Sequence, residues 1–287
     1  MYLSAERLAL ANRKVKETFE QTSVAWQAIP HWETGDPSRT EVPNDSLTDP
    51  EFVNLEPKTV EVFVTLAEAI SPMPDAVLAK VIEGTVKLAA QVDNAVVPAL
   101  AAATEKKIPA TPEFEDLLDA LIEARAAVEK HGYRAPSCLL TNTEGLKNVS
   151  GLISGTASPG TAVLLPAANI NSLHRVEKLI SGDDVWGWLL GRRRRIAHGG
   201  AAEASPGEEA VDLAVSIPPS LEVVGEQVVG EQKNKIKLLV RISYATRVKD
   251  KGGLVLLRKE QTPATGTTSP AAGTRRKARS ARATSTT

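Results

Sequence analysis

Cysteine is all but absent: Cys138 is the only one in 287 residues, so no internal disulfide can form and no zinc cluster of several thiolates can be built. The chain reads as one kept in a reducing compartment. Its four histidines, His31, His131, His174 and His198, never fall at helical spacing or within an HExxH motif, which removes the recognisable zinc sites. The phosphate loop GxxxxGKS/T, the dinucleotide fingerprint GxGxxG and the nucleophile elbow GxSxG are missing as well. The reading therefore assigns no catalytic residue, no metal and no cofactor.

Long apolar runs are lacking too. Met1 to Leu10 is interrupted by Glu6 and Arg7 and has no stretch suited to a secretory signal. The longest uncharged run, Asn148 to Leu173, is broken by Gly151, Gly155, Pro159, Gly160 and Pro166 and is rich in Ser, Thr and Asn, unlike a membrane span. A soluble chain is expected. Its 34 basic and 35 acidic residues nearly cancel, but unevenly: residues 261–287 hold Arg275, Arg276, Lys277, Arg279 and Arg282 and no acidic residue, which leaves the body mildly acidic.

What is present is a distinctive order of elements. Ser4 can cap a helix through Glu20 with an imperfect apolar stripe of Leu8, Leu10, Val15 and Phe19, an arm expected to dock elsewhere. From Trp26 to Pro57, six prolines and glycines among Asp, Asn, Ser and Thr exclude a compact helix. A loop of that length calls for a partner surface or for mobility. Lys58 to Leu66 then alternates Val60, Val62, Val64 and Leu66 against Thr59, Glu61, Phe63 and Thr65, the period of a half-buried strand.

After Pro72 and Pro74, Asp75 opens a helical pattern toward Lys106, about 45 Å long, which Pro98 should bend or end. A second helix starts at Thr111 with Pro112, Glu113, Glu115 and Asp116 in its first turn, buries Phe114, Leu117, Leu118, Leu121, Ile122, Ala124 and Val128, and stops at Gly132. Short elements follow at 137–141, 144–149, 161–165, 171–180 and 211–217, a mixed α+β lobe. Lys235 to Val248 alternates over fourteen residues, and Gly252 and Gly253 allow Leu254 to Leu257 to pair back as a hairpin. Beyond Glu260 the composition predicts disorder.

The stretches FEDLLDALIEARAAVEKHGYRAPSCLLTNTEGLKNV (114–149) and ISYATRVKDKGGLVLL (242–257), taken with this order of parts, resemble the major-capsid fold of tailed bacteriophages shared by encapsulin nanocompartment shells. The resemblance implies an α+β chain with an arm at 1–30, an extended loop with strand at 31–74, and a peripheral domain with spine helix at 75–136 and 235–260. It also implies an axial domain at 137–234, leaving 261–287 as a disordered basic tail. It further implies a non-enzymatic shell subunit whose partner is itself in a large homo-oligomer, with cargo protein or DNA inside and no membrane, located in the cytoplasm as a particle or in a virion. Trp26, Ile29, Trp32, Phe52 and Leu55 are the side chains expected to bury between copies, the alternative being that they cover this chain's own core.

Two rival readings rest on charge and on titratable groups. Arg192, Arg193, Arg194 and Arg195, with Arg275, Arg276 and Lys277 in the tail, could grip nucleic-acid phosphates, although no aromatics interleave them. An enzyme would draw its site from the region Asp183 to His198 with His31 or His174, in a concave pocket. Asp183 and Asp184 read as a capped turn, and Cys138 as a small core residue.

Overall fold

The computed structural model describes residues 3–46, 48–155, 157–177, 179, 185–193, 209–226 and 234–260. The chain opens with helix α1 (Ala5–Thr22), whose Ser4 cap accepts from the Arg7 N–H, and the single turn α2 (Val24–Ala28), capped by Ser23. Three short strands follow, β1 (His31–Glu33), β2 (Glu41–Pro43) and β3 (Phe52–Asn54), then the ten-residue β4 (Glu56–Thr65). Thr65 and Glu68 form a reciprocal capping box at the start of α3 (Leu66–Ile70).

Helix α4 (Asp75–Ala103) has 29 residues, about 43 Å of rod. Pro98 does not end it; the helix runs on to Thr104, and Pro74 rather than Asp75 stands at its cap. Strand β5 (Lys106–Ala110) leads to α5 (Phe114–Lys130), which begins after Pro112 rather than at Thr111, the Thr111 hydroxyl instead bonding Asp116. Then come β6 (Tyr133–Thr141), α6 (Thr143–Ser150), α7 (Thr161–Ala167), β7 (Ile170–Arg175) and β8 (Val185–Arg193). The chain continues with β9 (Val211–Glu226), β10 (Lys235–Val248), a 3₁₀ turn (Lys251–Gly253) and β11 (Leu254–Lys259).

These strands make a four-stranded sheet in the order β1-β9-β10-β4, a five-stranded sheet β5-β11-β8-β6-β7, and the small pair β2-β3. β10 is the centre of the first: it runs antiparallel to β4 from Lys235 opposite Thr65 to Tyr244 opposite Glu56, and antiparallel to β9 along its other edge. The β9 ladder shifts register between Ser220 and Ile217, where Pro218 and Pro219 have no N–H to donate. Ile236, Leu238, Val240, Ile242 and Tyr244 on β10, with Val62 and Val64 on β4, turn one face toward α4.

The rod answers with Val77, Val81, Leu88, Val92, Val96 and Leu100. Gly84 lets helix and sheet come close, since a Cβ there would stand 2.5 Å from the Val62 Cγ2.

The expected hairpin and two expected buried positions are corrected. Leu254 to Leu257 do not return as a hairpin against β10; β11 lies between β5 and β8 in the other sheet. All four of those side chains are buried, and a run that is apolar on both faces needs a central position rather than an edge. β9 joins β10 in the four-stranded sheet, whereas β5, α5 and β11 pack with β6 to β8. Leu66 leaves the strand to start α3 and is exposed, as is Ile122 on α5.

Candidate assembly surface

The two segments expected to reach outward are each held to the body in this chain, by different means. The arm is docked. Ala11, Val15 and Phe19 of α1 are buried against α4 and β9, and Phe19 meets the Trp26 ring edge-on at 5.4 Å. Asp93, half-buried on the rod, accepts from the Ser23 hydroxyl (2.8 Å) and from the Val24 (3.0 Å) and Ala25 (2.9 Å) N–H groups. One carboxylate thus satisfies the free donors at the start of α2. Burial nonetheless pushes the Asp93 carboxyl above its ordinary value, with the three hydrogen bonds pulling the other way. Arg7 donates to the carbonyls of Ala69 and Ser71, and the Leu221 N–H donates to the Asn12 side chain at 2.7 Å. The arm is therefore part of this chain's own core, correcting the expectation that it docks elsewhere.

The loop is clasped rather than buried. β1 pairs in parallel with β9, and β2 with β3 closes a short ribbon beneath a tip in which Asn44 accepts from the Ser46 (3.0 Å) and Glu51 (3.1 Å) N–H groups. Under the ribbon lies a small apolar cluster of Val42, Leu55, Ala214 and Ala245, flanked by Trp32 and Val53.

Beside that cluster, Arg247 of β10 faces Asp212 directly across the ladder. Its Nε and Nη2 donate to the two carboxylate oxygens, both at 2.6 Å. Its Nη1 donates to the Pro43 carbonyl (2.8 Å) and to Asp45 (2.6 Å), and the guanidinium lies 4.8 Å from the Trp32 ring centroid. Lys249 adds a 3.0 Å bond to Asp212. Burial works against the charge on Arg247, but Asp212 and Asp45 hold its pKa above the ordinary value. Asp45 sits at φ 53°, in the left-handed region that Asp and Asn enter more readily than other side chains.

The five side chains expected at an interface thus divide. Ile29 (2 % exposed) and Leu55 (7 %) are buried in this chain. Trp26 is half-buried between Phe19 and the His31 ring, which stacks on it at 3.7 Å, and Trp32 lies under Arg247. Phe52, at 68 % exposure, faces out. A patch that sequence reasoning missed joins it as exposed apolar surface: Leu66 and Ile70, one turn apart on α3, and Met73 just beyond. Leu66 had read as the last inward residue of β4, which concealed the patch.

Of the basic candidates, two fall in a described strand. Arg192 and Arg193 end β8, in the ladder opposite Arg134 and Tyr133. Arg194, Arg195, Arg275, Arg276 and Lys277 lie outside the described residues, as do Asp183, Asp184 and His198. Burial lowers the pKa of both His31 and His174. Among the described residues no three His, Cys, Asp or Glu side chains converge as metal ligands, and no helix is long and apolar enough to cross a membrane. A cleft of about 270 Å³ between the end of α5 and the turn before β11 is lined by Lys106, Lys130, His131 and Lys251. Its two carboxylates are held in ion pairs, Glu123 with Lys106 (3.1 Å) and Glu105 with Lys251 (3.0 Å). It contains neither His31 nor His174.

No protein-family model matches the chain, and no curated protein matches it by sequence. Solved structures do. A virus-like particle protein from Pyrococcus furiosus is similar over 88 % of this chain and 98 % of its own, with a TM-score of 0.66 at 13 % identity. A phage-related protein from Bordetella bronchiseptica is similar over 87 % and 96 %, TM-score 0.59, at 9 % identity. The capsid of the cyanophage P-SCSP1u is similar over 82 % and 86 %, TM-score 0.50, at 13 % identity. The fold is that of the tailed-phage major capsid proteins.

Proposed function

We propose that this chain is a self-assembling shell subunit whose copies close into a proteinaceous compartment around cargo, protein in the manner of an encapsulin or DNA in the manner of a phage capsid. The observation that carries the reading is the extent of the likeness. It runs over 88 % of this chain and 98 % of the other in the Pyrococcus comparison. In this reading the body around the four-stranded sheet and α4 serves as the peripheral domain, and the body around the five-stranded sheet serves as the axial domain. The exposed Phe52 and the Leu66, Ile70 and Met73 patch are contact surfaces between copies, since exposed apolar clusters are the usual footprint of association. No catalysis is assigned.

Light scattering on the purified full-length chain and negative-stain microscopy test the reading. Closed particles with a mass of many subunits are expected; a monodisperse monomer at micromolar concentration overturns it. Nuclease treatment of the particles then separates the cargo classes, because a protected nucleic acid identifies a capsid and a co-purifying protein identifies a nanocompartment. Phe52→Asp should lower the particle yield while leaving the circular dichroism of the subunit unchanged.

A further inference from the structure

We infer that Arg247 is a positioning residue that sets the angle at which the extended loop leaves the body, and through it the curvature of the closed shell; the second half of this inference rests on the shell-subunit reading. Arg247 is 4 % exposed at its side chain and Asp212 is 3 %. Because Asp212 stands directly across the ladder and occupies Nε and Nη2, the guanidinium plane is fixed by the sheet itself. Nη1, on the other arm of the fork, points to one place, where it meets the Pro43 carbonyl and Asp45 at the base of the loop tip.

The charges in the cluster balance: Arg247 and Lys249 against Asp212 and Asp45. Asp45 alone is substantially exposed, at 56 %. If it departs, a buried excess of positive charge remains, which is costly in a low-dielectric site. The clasp is thus rigid on the body side, and its loop side, where Asp45 meets water, is the side that can open at that cost. Apart from it, the ribbon rests on the β1–β9 pairing and one small apolar cluster. A change of a few degrees at such a root displaces the exposed Phe52 relative to the next copy. In a repeated head-to-tail contact, that displacement decides which ring or shell closes.

The test uses two variants of the full chain and two measurements. Asp45→Asn keeps a side chain that tolerates the left-handed backbone and removes the charge. Arg247→Lys keeps the charge and removes the fork. Hydrogen exchange on dissociated subunits should show amides 41–54 exchanging at least tenfold faster in both variants, with α1 and α4 unchanged. Microscopy of assembled variants should show a mixture of diameters where the parent shows one. Unchanged exchange at 41–54 overturns the positioning role. Faster exchange with a single unchanged diameter overturns the link to curvature. If the parent chain itself forms no particles, the shell reading fails while the exchange result still judges the clasp. Arg247→Lys failing to fold leaves Asp45→Asn, on the exposed side of the clasp, to decide.

Discussion

Arm and loop lie next to each other in sequence, both ahead of β4, yet they are attached to the body by different physics. The arm inserts Ala11, Val15 and Phe19 into the main core and hands the donors of α2 to a half-buried carboxylate. The loop is tied to the sheet by the short β1–β9 pairing, one forked arginine and an apolar cluster of four buried residues. Apolar burial is non-directional and large; a charge-assisted contact is directional and, where one partner meets water, reversible. The arm should therefore unfold only with the body, whereas the loop can open by itself. Local stability of this kind differs across one molecule according to how each segment is attached.

The sharpest way to break that comparison is Phe19→Ala. Removing a fully buried ring from the arm should cost about 3–5 kcal/mol of global stability, measured by denaturant unfolding. A loss confined to faster exchange in α1, with the global midpoint unmoved, would make the arm as detachable as the loop.

Asp93→Ala comes next. It leaves the Ser23 hydroxyl and two N–H groups without their acceptor, at about 1–3 kcal/mol, and should raise exchange at α2 while amides 41–54 stay as they were. Val42→Ala is the mirror experiment on the loop. Deleting two methyl groups from the small cluster, at about 0.8 kcal/mol each, should speed exchange at 41–55 about tenfold and leave the unfolding midpoint nearly constant. A midpoint shift as large as that of Phe19→Ala would place the loop in the main core.

The smallest effect is one of pH. A hydrogen bond from Lys80 (2.7 Å), then one from the Thr65 N–H, hold the Glu68 carboxyl down at about 2 against an ordinary 4.5. A carboxyl depressed in the folded state contributes stability above its ordinary value and loses it as the pH falls, here between 4.5 and about 2. Asp93 has the opposite sign: its raised folded value means that its contribution falls as the pH climbs above 3.8. Glu68→Gln should thus melt below the parent at pH 7, with the gap closing toward pH 2. A gap that stays constant over that range would show that Glu68 is not the titrating group.

Much of the architecture was legible in the chain because periodicity is a local property. The alternation of Ile236, Leu238, Val240 and Ile242 and the capping Ser4 each declare a strand or a helix without help from elsewhere. The destination of β11 was not legible. Leu254 to Leu257 after two glycines suit a hairpin equally well as a central strand, and only the presence of β5 and β8 on either side decides between them. The loop clasp was hidden for the same reason. Arg247 lies among the polar positions of an alternating strand and reads as solvent-facing. It is buried because the β2-β3 ribbon folds over the second face of the sheet. Asp93 lies on a long helix, and nothing near it in sequence announces that Ser23, seventy residues earlier, comes to meet it.

By itself, then, the sequence determined which segments become rod, arm, loop and long strand, since those follow from spacing and composition along one dimension. Only the tertiary structure decided which sheet each strand joins, that the arm is internal and that the loop hangs on Arg247. Register and ion pairing are settled by residues distant in sequence, and their energies exist only once the chain has brought those residues together.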